Sequence, residues 1–260
     1  PLWLKIQKEE IQMRNLKRAL SLALAAIMLV GMMVVSASAA SYNNLTDKDE
    51  IVNKDAVSML VSLGIIEGKP DGSYGPTENV DRAQMAKMLS VIMNKGVDNS
   101  ALYQSVNSGL VDVNTNWAKG HINYCYTTGI IAGRGNGKFD PDAGVTGSEA
   151  AKMLLVAAGY DPAIEGFEGA DWAINVSVRA DEQGIFEGFT KDLSAPLNRD
   201  DAALLIYNAL DVEMIQSYTT NNYPIAYSDH RTILADKYGV IKVQGVVVAN
   251  EWASLASDDG

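Results

Sequence analysis

The sequence predicts a mainly α-helical chain built from three helix-loop-helix repeats, running into the start of a β-containing region. Three observations carry this. A short motif recurs: Leu63-Gly64-Ile65-Ile66-Glu67-Gly68 returns as Thr128-Gly129-Ile130-Ile131-Ala132-Gly133 and as Gln183-Gly184-Ile185-Phe186-Glu187-Gly188. A proline follows the first glycine by twelve residues in each copy, Gly64 to Pro76, Gly129 to Pro141 and Gly184 to Pro196. A segment with helical patterning then begins near Asp81, Gly147 and Arg199. Self-similarity of this kind marks repeated supersecondary units, each burying its apolar face against its neighbours.

Residues 1–12 precede Met13, the expected natural start, and read as an upstream extension without a role. Residues 13–39 have the layout of a secretory signal peptide: basic Arg14, Lys17 and Arg18, an apolar run from Ala19 to Val35, then Ala37 and Ala39 at the small-residue positions. A membrane anchor is the competing reading of the apolar run; the small-residue exit and the polar Ser41-Tyr42-Asn43-Asn44 favour cleavage. The first repeat, 45–97, opens with a helix carrying Ile51, Val52, Ala56, Val57 and Leu60 at helical spacing, ended by Gly64 as a left-handed cap. Its loop, residues 68–76, is dense in turn formers, with Tyr74 as the plug onto the helices and Asp81 as the next N-cap. The second repeat, 107–162, repeats this layout with Phe139 as plug and Thr146 as N-cap, and the third, 167–214, places Asn198 there. Beyond it lie a polar stretch over 218–224, a short helix over 233–238 and β-structure over 239–249, so 215–260 reads as a linker and the start of a truncated further domain.

Charge narrows the function classes. Of 21 Lys/Arg and 32 Asp/Glu, five and two fall in residues 1–40, leaving 16 and 30 and a formal charge of −14. So acidic a surface repels nucleic acid and anionic lipid, and neither is expected as a partner after signal cleavage. Two His and one Cys leave little for metal chemistry, and no cofactor is expected. Cys125 has no internal partner and reads as a buried, inert thiol. Asp71-Gly72 and Asp140-Pro141-Asp142 lack the alternating acidic ligands and terminal Glu of a calcium loop, so no metal site is expected. No Gly-x-Ser-x-Gly, His-Glu-x-x-His or phosphate loop occurs, and no residue is singled out as catalytic.

The ordered motifs resemble the S-layer homology family. Its pattern of Asp…Trp-Ala…Ile…Gly-Ile-Ile…Gly, then Asp-Gly-x-Phe-x-Pro, then Thr-Arg-Ala-Glu is met in the second repeat by Asp112, Trp117, Ala118, Ile122, Gly129, Ile130, Ile131, Gly133, Gly137, Phe139, Pro141 and Thr146. The resemblance spans roughly residues 47–214. It implies a pseudo-threefold helical module that attaches secreted proteins, without catalysis, to secondary cell wall polysaccharide linked to peptidoglycan in a Gram-positive-type envelope. Such polymers often carry pyruvate ketals, whose carboxylate suits a planar bidentate cation. The resemblance puts that role on Arg82 and Arg199, the matches to the arginine of Thr-Arg-Ala-Glu, and sugar contact on Trp117, Trp172 and Asp112. Two departures stand out: Gly147 occupies the arginine position of the second repeat, and Val52 the tryptophan position of the first. Gly147 is expected to cripple one of three pockets, and Gly147→Arg to be tolerated and restore it.

Each role has a plainer alternative. Arg82 and Arg199 also suit solvated helix starts, and Trp117 and Trp172 suit core filling. Two other whole-protein readings compete with the anchor: an enzyme acting on polysaccharide whose catalytic domain lies beyond residue 260, or a structural S-layer subunit that self-assembles through such a region.

Overall fold

The computed structural model describes residues 41–242. The secretory signal over 13–39, and the expected β-structure from residue 243 onward, lie outside the described residues.

Three helix pairs account for most of the described chain. Their first helices are α1 (Lys54–Ser62), α3 (Lys119–Thr127) and α5 (Trp172–Glu182). Each runs into a glycine, Gly64, Gly129 or Gly184, with φ of +70°, +77° and +71°. In that left-handed region a side chain costs roughly 1–2 kcal/mol, so the shared glycine is a backbone requirement. The chain then turns inward and buries Ile65, Ile130 and Ile185. The first helix starts later than its sequence pattern implies. Ile51 and Val52 precede it, next to a 3₁₀ turn over Lys48–Glu50; Ile51 is buried and Val52 is 82% exposed.

The second helices are α2 (Arg82–Met93), α4 (Gly147–Ala157) and α6 (Arg199–Ala209). Each begins on a side-chain cap: Asp81 accepts from Gln84 N at 2.7 Å, Thr146 from Glu149 N at 3.2 Å and Asn198 from Asp201 N at 2.8 Å. Gln84 and Glu149 accept in return from the N–H of Asp81 and Thr146, at 3.2 and 3.1 Å. Caps of this kind stabilise a helix by about 1 kcal/mol each.

Just ahead of these helices, three short segments close a ring of main-chain hydrogen bonds. Val80 N donates to Leu197 O at 2.9 Å, Leu197 N to Val145 O at 2.8 Å, and Val145 N to Val80 O at 3.0 Å. Around this ring the first helix of each pair packs on the second helix of the preceding one: α3 on α2, α5 on α4, and α1 on α6. The helix starts dock equivalently, with Ala83 N donating to Pro141 O, Asp200 N to Pro76 O and Ser148 N to Leu193 O.

These equivalences correct the register taken from the prolines. Leu193, nine residues after Gly184, stands where Pro76 and Pro141 stand at twelve. Pro196 instead bridges to Thr146, in the place that Gly144 holds opposite Asp81 and Asn79 holds opposite Asn198. The third loop is three residues shorter, and its equally spaced proline has a different structural role.

Of residues 215–260, read as a linker and the start of a further domain, the described part, 215–242, is folded onto the helix pairs. The strands β1 (Ile215–Tyr218) and β2 (Pro224–Ala226) form an antiparallel hairpin, and α7 (Ile233–Tyr238) is capped by Thr232. Ile215 N donates to Ala158 O at 2.8 Å and Leu234 N to Leu210 O at 2.9 Å, while Ile233 and Leu234 are buried with the helix-pair core. Burying a side chain of that size contributes about 1.5–3 kcal/mol. The polar stretch that suggested a linker is the exposed turn of this hairpin with its half-buried flanks, Tyr218 and Pro224.

Candidate functional site

Arg82 and Arg199 begin α2 and α6, and each reaches across to the loop of the next pair around the ring. Arg82 Nε donates to Phe139 O and its NH2 group to Ala132 O, both at 2.8 Å, and its guanidinium carbon lies 4.3 Å from the centre of the Phe139 ring. Arg199 repeats this on Tyr74: Nε donates to Tyr74 O at 2.8 Å, NH2 to Glu67 O at 3.3 Å, and the ring centre is 4.7 Å away. The two aromatic plugs are therefore also the platforms on which the guanidinium groups lie.

Asp112 holds one platform in place. Its carboxylate accepts from Phe139 N at 3.0 Å and from Asp140 N at 2.8 Å; Asp47 does the same for Tyr74 N and Gly75 N, both at 2.7 Å. Partial burial works to raise both carboxyls, but the backbone hydrogen bonds together outweigh it and hold them below the ordinary carboxylate value. Asp112 was expected among the sugar contacts. It lines neither of the two arginine cavities described next, and its oxygens are taken by the loop backbone.

A cavity of about 430 Å³ has Arg82 in its lining, together with Arg134 after Gly133, Glu149 and Lys152 on α4, and Trp172 on α5. A second, of about 210 Å³, is lined at equivalent positions by Arg199, Lys69 after Gly68, Gln84 and Lys87 on α2, and Trp117. Each thus takes its arginine from one helix pair, its body from the next and its indole from the one after. Trp117 is 57% exposed, whereas Trp172 is half-buried with Lys152 Nζ 5.6 Å from its ring. Burial lowers the Lys152 ammonium while Glu168 pulls it back up.

The third equivalent cavity, about 320 Å³, has lost this chemistry. Val52 stands for the tryptophan, Phe189 for Lys69 or Arg134, and Leu204 for Lys87 or Lys152. Lys191 sits where the aromatic platform would be and pairs with Asp201 at 2.5 Å. Gly147, at the arginine position, is buried, and a Cβ there would meet Leu193 at 3.1–3.3 Å. Val52 lines this cavity, whereas Gly147 is packed against Leu193 and is not among its lining residues. These contacts weigh against the expectation that Gly147→Arg is tolerated, since Leu193 must shift to admit even a Cβ.

Electrostatics separates the three. The first cavity is lined by three cations and two carboxylates, and the second by three cations and Glu67. The third has Lys191 against Glu50, Asp200 and Asp201. On a chain with so large an acidic excess, two concave sites pairing cations with an indole are suited to an anionic ring-shaped ligand. The sequence reading missed Lys69, Lys87, Arg134, Lys152 and Glu149. A signal existed for four of them: a basic residue directly after the second glycine of the motif, and a lysine five residues after the arginine position.

The S-layer homology domain model matches residues 44–86 and 111–151. The chain is 31% identical over 206 residues to a cell surface protein of Thermoanaerobacter kivui, an alignment covering 78% of this chain and 26% of that protein. It is 27% identical over 239 residues to the middle cell wall protein of Brevibacillus brevis, covering 92% of this chain and 22% of the relative. It is 33% identical over 113 residues to an S-layer protein of Bacillus licheniformis, covering 44% and 12%. Further relatives include an exoglucanase and an amylopullulanase. The chain thus spans about a quarter or less of the length of the first three relatives. Together these similarities support a cell-surface location and a wall-anchoring role.

Proposed function

We propose that residues 45–214 form a pseudo-threefold module of three S-layer homology repeats that anchors a secreted protein, non-covalently, to secondary cell wall polysaccharide. The cavities of Arg82 and Arg199 each seat an acidic sugar, such as a pyruvate ketal, and residues 13–39 direct secretion. The carrying observation is the recurrence of one arginine, one lysine or arginine after the motif glycine, one lysine and one tryptophan in two concave sites on a strongly acidic chain. The main-chain ring through Val80, Val145 and Leu197 supports the pseudo-threefold arrangement. A guanidinium presents paired N–H donors that match a carboxylate, and an indole face suits the apolar face of a sugar ring. Asp112 takes a positioning role in this reading, since it fixes the loop on which Arg82 lies.

The anchor itself needs no catalytic residue. Enzyme relatives fit the same reading, because an anchor can serve a polysaccharide-acting domain or an S-layer subunit alike. The test is sedimentation of the purified chain with cell walls. Walls retaining their secondary polymer are expected to carry the protein down, and walls stripped of it by mild acid to leave it in solution. Equal sedimentation with both would move the target to peptidoglycan and remove the acidic-sugar reading.

A further inference from the structure

Both arginine cavities hold carboxylates, but only one sets a carboxylate against its arginine: in the second, Lys69 pairs with Glu78 and Lys87 with Glu67, and Arg199 has no acidic partner within 4 Å among the described residues. In the first, Glu149 Oε1 lies 2.7 Å from an NH2 nitrogen of Arg134 and 3.9 Å from NH1 of Arg82. Its other oxygen accepts from Thr146 N. The equivalent residue in the second cavity is Gln84, which accepts from Asp81 N in the same way but brings no charge. Arg199 there makes its hydrogen bonds to main-chain carbonyls.

We infer that Glu149 acts as an internal carboxylate that competes with an incoming one for Arg134 and Arg82, making the larger cavity charge-gated at its arginines, as the smaller is not. The inference rests on the acidic-sugar reading above. A ligand carboxylate entering beside Arg82 must share or displace the pairing of Arg134 with Glu149, and it meets a second negative charge at close range where Gln84 offers a neutral amide. Capping does not require the charge, because Gln84 closes the same capping box in this same chain.

Two substitutions exchange the chemistry of the cavities: Glu149→Gln and Gln84→Glu. The probe is a methyl glucopyranoside bearing a 4,6-pyruvate ketal, titrated as the free acid and as its methyl ester. Binding is followed at the indole N–H resonances of Trp172 and Trp117, one in each cavity. Glu149→Gln is expected to tighten the acid at Trp172 by about five- to tenfold, as for relief of one repulsive charge at an interface. Trp117 should report unchanged binding, and the ester should gain nothing. Gln84→Glu should weaken the acid at Trp117 by a similar factor. Unchanged or weaker acid binding at Trp172 in Glu149→Gln, or an equal gain for the ester, would overturn the competition. Should no protein bind the acid at either indole, the acidic-sugar reading fails, and this inference with it.

Discussion

With 4% of its side chain exposed, and with Nε and NH2 donating to the carbonyls of Phe139 and Ala132, Arg82 ties the start of α2 to the loop of the next helix pair. Burial pushes its guanidinium down to about 10, and Glu149 offsets this only in part. Arg82→Ala removes these contacts while leaving the helix they join in place. Truncation uncouples two carbonyls from a charged donor and leaves Phe139 without its stacked partner. A loss of about 2–4 kcal/mol is expected from urea unfolding; a change under about 0.5 kcal/mol, the range of an ordinary surface substitution, would return Arg82 to a solvated helix start. Asp112 and Asp47 make a second prediction at this scale. Both carboxyls sit below their ordinary value in the folded chain. Their stabilising contribution is therefore present above the unfolded carboxylate pKa of about 3.9 and is lost as pH falls through the lower folded values. Asp112→Asn should reduce stability near neutral pH and flatten part of the acid limb of the stability curve. A variant whose acid limb matches that of the parent would remove Asp112 from the account.

At the scale of elements, the start of α4 shows how a local rule is overridden. Glycine is a poor helix residue, and replacing it normally gains up to about 1 kcal/mol. Here a Cβ at residue 147 would press on the Cα, carbonyl oxygen and side chain of Leu193 at 3.1–3.3 Å. Gly147→Ala and Gly147→Arg should therefore both destabilise the chain, the arginine by about 1–3 kcal/mol as an overpacked substitution, and thermal melting reads this directly. A Gly147→Arg protein that melts at or above the parent would show that the loop of the third pair yields. The glycines that end α1, α3 and α5 and the caps that begin α2, α4 and α6 were legible in sequence because each is a local requirement of a few residues. The register of the third loop was not. Spacing from Gly184 selected Pro196, while the hydrogen bond from Ser148 N to Leu193 O places Leu193 in the role of the other prolines. Pairing partners that distant in sequence leave no mark on local spacing. Likewise the hairpin of β1 and β2 read as a linker, since its strands are short and its turn polar.

At the scale of the molecule, cyclic packing explains why the candidate residues were found while their grouping was not. Arg82, Arg199, Trp117 and Trp172 were each identified by position within a repeat, which suggests one site per repeat. Packing α3 on α2, α5 on α4 and α1 on α6 distributes each cavity over consecutive pairs. Trp172 therefore joins Arg82, Trp117 joins Arg199, and Val52 lines a third cavity without an arginine or an indole. On the proposed function, two cavities of the three bind an acidic wall sugar. Calorimetric titration of the chain with a soluble, carboxylate-bearing fragment of the wall polymer tests it most directly. Two ligands per chain are expected, reduced to one by Arg199→Ala with the helical content unchanged. A stoichiometry of three, or two sites persisting in Arg199→Ala, would contradict it.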